Sequence, residues 1–488
     1  MKISEVNTLG KLKKSGYTPK SIKEELRSNL IPKLQSGKKV FEGIIGFDDT
    51  VIPDLERAIL SNHNILLLGL RGQAKTRIAR LLTSLLDEYM PIVEGSEIND
   101  DPMQPISRYA QDLIAEHGDK TPVSWVHRDE RYVEKLATPD VSIADLVGDV
   151  DPIKAASLKL PFSDERVIHF GLIPRSHRSI FVINELPDLQ ARIQVSLFNI
   201  LQEEDLQIRG FKLRLPLDIQ FVFTANPEDY TNRGSIVTPL KDRIESQILT
   251  HYPMSTDIAR KITEQEAKIA DDQLSSIHVP DKVRDLLEMI SFTARESEFV
   301  DEKSGISARM SISGMENLHS TAERRMLINK EKKTAIRITD FWGVIPSITG
   351  KMELVYEGEQ EGPYQVALKL LGDAIKTLFL EYFPHPEKIK KGVDNDPYGA
   401  IKLWFSGGNN LDLLHDDTDK EHKKKLDKVA GLRKLVKDKN IEAQDQLFFM
   451  ELVLHSLSEF QVVSKNFVQS KISFSDPLAT MFDDLDSE

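Results

Sequence analysis

The stretch NILLLGLRGQAKTRIARLLTSLL, residues 64–86, constrains this chain more than any other. NILLLGL is a short apolar run, the mark of a strand buried on both faces. KTRIARLLTSLL places Ile78, Leu81, Leu82 and Leu85 along one side of a helix. A strand, a glycine turn and a helix together make the setting in which backbone N–H groups cradle an anion. Within the turn GLRGQAKT, Gly69, Lys75 and Thr76 fit G-x-x-x-x-G-K-[ST], but position 74 is Ala and a glycine stands at 72. Lys75 can neutralise β- and γ-phosphate charge, and Thr76 can ligate magnesium. Ala74 carries a Cβ, so no glycine-only dihedral is expected there.

A second buried strand, SIFVIN, ends in Asn184 and Glu185. A magnesium–nucleotide site normally places an Asp at such a strand tip and a Glu after it to activate water. Asn184 keeps an oxygen acceptor but lacks the charge. The third apolar strand, FVFTAN, ends in Asn226, whose polar side chain could reach water and the γ-phosphate. Arg243 in PLKDRIESQ is a candidate arginine finger for a neighbouring subunit, and Arg309 in GISARMSISGMENL a candidate phosphate sensor. Each of the two, taken alone, is also an ordinary surface arginine. Their order and spacing along the chain carry the reading.

With these residues in place, the chain resembles the AAA+ ATPases of the magnesium-chelatase ATPase-subunit and MoxR group over roughly residues 40 to 345. GQAKT is similar to the G-x-A-K-T loop of the MoxR branch. PIVEGSEINDDP, ADLVGDVDPIKA and GLIPRSHRSIFVINE look like stretches of chelatase ATPase subunits. In FEGIIGFDDTVIPDLERAIL the resemblance sets Ile44, Ile45 and Gly46 near adenine. It implies a nucleotide contact surface of Gly69, Arg71, Gly72, Gln73, Ala74, Lys75, Thr76 and Arg77. It makes Thr76 and Asn184 the magnesium residues, and Glu185, Asn226, Arg243 and Arg309 the catalytic set, with Arg233 a second candidate finger. A helix-2 insert near 152–173 and a pre-sensor hairpin near 205–218 are also implied. The family acts as hexameric rings that bind ATP and Mg2+ between subunits, often with a partner bearing a von Willebrand factor A domain. Two positions depart from the pattern: Asn184 replaces Asp, and Arg71 stands where MoxR members usually have Pro.

The expected fold class is therefore α/β: an AAA+ P-loop core with a parallel sheet, then an α-helical lid and a further mainly α-helical C-terminal region. The expected boundaries are a helical lead-in at 1–40, the nucleotide-binding core at 41–253, the lid at 254–345, and a helical region with an acidic tail at 346–488. The stretch from 90 to 175, rich in Pro, Asp and Gly, reads as irregular. A length of 488 residues suits two to four domains.

The absence of cysteine excludes disulfides, thiol catalysis and Cys-type zinc sites, and fits a cytoplasmic setting. No apolar run approaches a membrane span, and the N-terminus has no secretory h-region. The 12 histidines include no H-x-x-x-H pair, so no metal beyond nucleotide-bound magnesium is expected. A net charge of −13 argues against nucleic acid as a partner. The one basic run, KEHKKKLDKVAGLRKLVKDK, reads as a solvated helix face. The function expected is an ATP-driven ring that remodels or activates a partner protein in a chaperone-like or metal-insertion role. The alternatives are a nucleotide-gated scaffold with slow hydrolysis, a chelatase ATPase subunit, and a DNA motor.

Overall fold

The computed structural model describes residues 5–161, 164–203, 205–208, 214–227, 235–301, 306–389, 396–468 and 471–477. It divides into two units, 1–251 and 252–488.

The first unit is an α/β fold. Its central sheet has five parallel strands: β1 (Ile65–Leu68), β2 (Tyr132–Leu136), β3 (Ser179–Asn184), β4 (Ile219–Ala225) and β5 (Ser246–Leu249). Their spatial order is β5-β1-β4-β3-β2. Alternate residues feed opposite faces, because side chains switch sides at every step along a strand. Ile65 and Leu67 of β1, with Ile180 and Val182 of β3, pack on helices Ile22–Gln35, Val51–Leu60 and α1 (Lys75–Leu81). Leu66 and Leu68, with Phe181 and Ile183, pack on the other side against α2 (Ala191–Glu203). This double cover is why the three inner strands read as continuous apolar runs.

The helix expected early in the chain starts at Ile22, where Ser21 and Glu24 form a capping box, and ends at Gln35, before Gly37. A buried ion pair from Glu25 to Arg131 at 2.6 Å ties it down beside β2.

Residues 90 to 175 are more ordered than expected. They contribute the edge strand β2, an antiparallel pair of Tyr89–Val93 with Val123–His127, and helix Arg108–His117. The signal was weak because YVEKL mixes charged and apolar residues on a partly exposed edge. In the region of the expected insert, helix Pro152–Leu158 is flanked by the antiparallel strands Gly148–Val150 and Ile168–Phe170. Near the expected hairpin, Asp205–Gln207 pairs with Arg214–Pro216.

The second unit is mainly helical. It contains α3 (Asp281–Glu296), α4 (Ala308–Ile328), α5 (Pro363–Tyr382) and α6 (Gln446–Glu459), with a three-stranded antiparallel sheet of 411–414, 464–468 and 471–475. One hydrophobic core runs through it. Leu286, Leu318, Phe341, Leu378, Phe405, Leu454 and Phe474 all belong to that core, so residues on both sides of position 345 share it. The basic run folds as helices Asp419–Leu426 and Leu432–Lys437, which bury Leu426, Leu432 and Val436 and leave most of their lysines outside. Among the described residues no helix is long and apolar enough to cross a membrane.

Candidate functional site

The carboxyl ends of β1, β4 and β3 lie side by side, the position at which parallel α/β sheets form their binding crevice. The loop after β1 is closely fitted. Gly69 donates its N–H to the carbonyl of Ala225, and a Cβ at Gly69 would overlap Thr250 Oγ1 and Gln73 Oε1. Those two side chains are bonded to each other at 2.7 Å. Gly72 has φ +76°.

Ala74 departs from expectation: its φ of 56° and ψ of 14° are left-handed. The loop does adopt at 74 a conformation that glycine takes freely, and alanine enters it at a cost of about 1–2 kcal/mol. Lys75 follows as the first helical residue.

The Lys75 side chain is buried. Its Nζ donates to the carbonyl of Gly69, to that of Leu70 at 2.8 Å, and to Asn226 Oδ1 at 2.7 Å. Asn226 Nδ2 in turn donates to Glu185 Oε2 at 2.9 Å. One asparagine thus connects the loop lysine with the carboxylate beyond β3. Glu185 also sits in the left-handed region, φ 54° and ψ 51°, where strain in a non-glycine residue often marks a working site. Its N–H donates to Thr224 Oγ1 at 3.2 Å.

Asn184 forms the other half of the site. Its Oδ1 accepts from Thr224 Oγ1 at 3.1 Å and lies 3.5 Å from Thr76 Oγ1. Its Nδ2 donates to Glu134 Oε1 at 2.6 Å. Glu134 comes from β2, next to β3, and its other oxygen accepts from Arg80 and Tyr132. The Thr76 hydroxyl and the Asn184 amide oxygen are hard oxygen donors of the kind magnesium takes, and with the Glu134 carboxylate behind Asn184 they fit that ion. Among the described residues no group of three or more His, Asp or Glu forms a metal cage.

The structure therefore brings Gly69, Gln73, Lys75, Thr76, Asn184, Glu185 and Asn226 together. Arg71 and Arg77 are exposed. Ile44 is buried in the same core as Leu67 and Ile78, Ile45 is half-buried, and Gly46 has φ +82°. Arg243 is held away from the loop of its own chain. It donates to Gln202 Oε1 at 3.0 Å and to the Pro239 carbonyl at 2.7 Å, and its guanidinium lies 5.1 Å from the Phe198 ring centre. Arg309 belongs to the second unit, exposed in the first turn of α4. Arg233 lies outside the described residues.

Sequence reasoning missed Thr224 and Glu134. Thr224 was within reach, since in FVFTAN it lies two residues before Asn226 and so on the same strand face. Glu134 gave no signal of its own, because its place beside Asn184 comes from the pairing of β2 with β3.

The order β5-β1-β4-β3-β2 sets the loop after β1 and the Asn–Glu pair after β3 at one edge of a parallel α/β sheet. No protein-family model matches the chain. Several solved structures show a distant likeness. The complex of subunits BchI and BchD of magnesium chelatase is 18% identical, over 66% of this chain and 98% of that one, with a TM-score of 0.34. The Thermotoga maritima RuvB Holliday junction branch migration motor is 11% identical over 74% and 75%, with a TM-score of 0.32. NtrX from Brucella abortus in complex with ADP is 14% identical over 60% and 53%, also at 0.32. At such scores the fold reading rests on this chain's own strand order.

Proposed function

We propose that this chain binds ATP with magnesium at the loop from Gly69 to Thr76 and hydrolyses it as one subunit of a ring. The cycle would remodel or activate a partner protein, with a von Willebrand factor A-domain protein as the class the family resemblance implies. The observation that carries the reading is the hydrogen-bonded run from Lys75 through Asn226 to Glu185. A buried ammonium, a neutral amide and a carboxylate in that order suit a γ-phosphate, a water and a general base.

On this reading Lys75 exchanges the carbonyls of Gly69 and Leu70 for phosphate oxygens. Asn226 positions the attacking water and Glu185 accepts its proton. Thr76 and Asn184 would hold magnesium, which supplies charge neutralisation at the phosphates. Arg243 would serve the site of the adjacent subunit, and Arg309 would report nucleotide state to the second unit. Lys75→Ala and Glu185→Gln test the reading together. The first should lose nucleotide affinity, and the second should keep it while phosphate release stops. Normal hydrolysis by Glu185→Gln would refute it.

A second reading, a nucleotide-gated scaffold with slow hydrolysis, is favoured by one observation: position 184 carries no charge of its own. Turnover that is fast in the wild type and unchanged in Asn184→Asp would rule this out.

A further inference from the structure

Asn184 could present either end of its carboxamide to the metal position, and only the oxygen end would serve. Nothing within the residue decides between them. Glu134 does. An ionised carboxylate accepts hydrogen bonds and cannot donate one, so the 2.6 Å contact requires the amide NH2 to face Glu134. The oxygen is then turned towards the hydroxyls of Thr76 and Thr224.

The placement follows from the pairing of two strands. Glu134 stands opposite Val182, and Leu136 opposite Asn184. Val182 packs on the face covered by α1, and Thr76 and Arg80 lie one turn apart on that helix. Thr76 meets Asn184, Arg80 meets Glu134 at 2.9 Å, and Asn184 meets Glu134. The negative charge missing from the tip of β3 is therefore present one strand away, on a side chain about one quarter exposed.

We propose that Glu134 is a positioning residue for magnesium. It locks the Asn184 carboxamide with its oxygen towards the metal position and sets a carboxylate, paired with Arg80, beside the site where Asn184 has none. This rests on the nucleotide reading above. Partners behind a metal ligand that fix its orientation and tune its charge commonly change metal affinity by about 10–100-fold when removed. The arrangement also makes Asn184→Asp alone unfavourable, since it would set two carboxylates against each other.

The test is the affinity of the full chain for a fluorescent ADP analogue, titrated with MgCl2 after EDTA treatment. Variants are Glu134→Gln, which can still accept from Asn184 but carries no charge, Glu134→Leu, which does neither, and the exchange Asn184→Asp with Glu134→Gln. Metal-free affinity is measured for each variant as well, and the magnesium half-point is read against it. The magnesium half-point should rise by about tenfold or more in Glu134→Leu, by less in Glu134→Gln, and return towards wild type in the exchange. Wild-type half-points in both single variants would overturn the proposal. A lowered thermal midpoint with an unchanged half-point would do the same and assign Glu134 a purely structural role. Failure of the wild-type chain to bind the analogue at all would instead overturn the nucleotide reading, and this proposal with it.

Discussion

Asn226 accepts from the Lys75 ammonium at 2.7 Å while donating to Glu185 at 2.9 Å. Lys75 has other partners in the loop, so Asn226→Ala should leave nucleotide affinity nearly unchanged. It should lower turnover by about a factor of 10² or more, the usual effect of removing one positioned donor from a reacting centre. Affinity by isothermal calorimetry and phosphate release would check this, and an equal loss in both would contradict it.

Arg243 contacts helix α2 of its own chain rather than the phosphate loop. If it completes a neighbour's site, Arg243→Ala should lower turnover by about 10³ or more with affinity retained. Mixing Arg243→Ala with Lys75→Ala chains should then restore part of the activity, since each supplies what the other lacks. Full activity of Arg243→Ala at native monomer mass would exclude the role.

Ala74 holds a left-handed backbone in the loop. Ala74→Gly should leave stability within about 1 kcal/mol, because relief of strain is offset by the freer unfolded chain. Ala74→Val should cost about 2 kcal/mol, since a β-branched residue is poorly tolerated there. Denaturant unfolding of the two variants provides the comparison, and equal midpoints would contradict it.

In the second unit, burial raises the Glu451 carboxyl from its ordinary 4.5 to about 7, against the opposing pull of Arg337. The folded state therefore keeps a proton that the unfolded chain gives up between those values. That stability is fully present below about pH 4.5 and is lost as pH rises through about 7. His422 and His455, also buried, are held well below their usual range and act in the opposite sense on the acid side. Glu451→Gln removes the carboxyl contribution, together with its contact to His422 at 3.2 Å. The variant should gain on wild type by roughly 1–3 kcal/mol between pH 5 and pH 8. Parallel pH–stability curves would contradict this.

Features local to the chain were legible in the sequence. Lys75 and Thr76 sit in one turn between an apolar strand and a helix, and Asn184, Glu185 and Asn226 follow strands whose burial on both faces leaves long apolar runs. What depended on neighbours in space was not legible. Glu134 stands beside Asn184 through a pairing across 50 residues, on an edge strand whose mixed YVEKL pattern hid even its secondary structure. The left-handed Ala74 was misread because composition reports what a residue prefers, whereas the surrounding loop decides what it adopts.

The shared core of the second unit sets how that half of the protein can change. Leu318 on α4 and Leu454 on α6 are parts of one packed body, so the region cannot be trimmed back to position 345 without opening the interior that supports α4. It should melt cooperatively, and a truncated chain should be recognised by proteases as unfolded. It also means that Arg309, at the start of α4, and the three-stranded sheet stand on one shared core. A partner that grips the sheet would be holding the same packed body that carries the arginine.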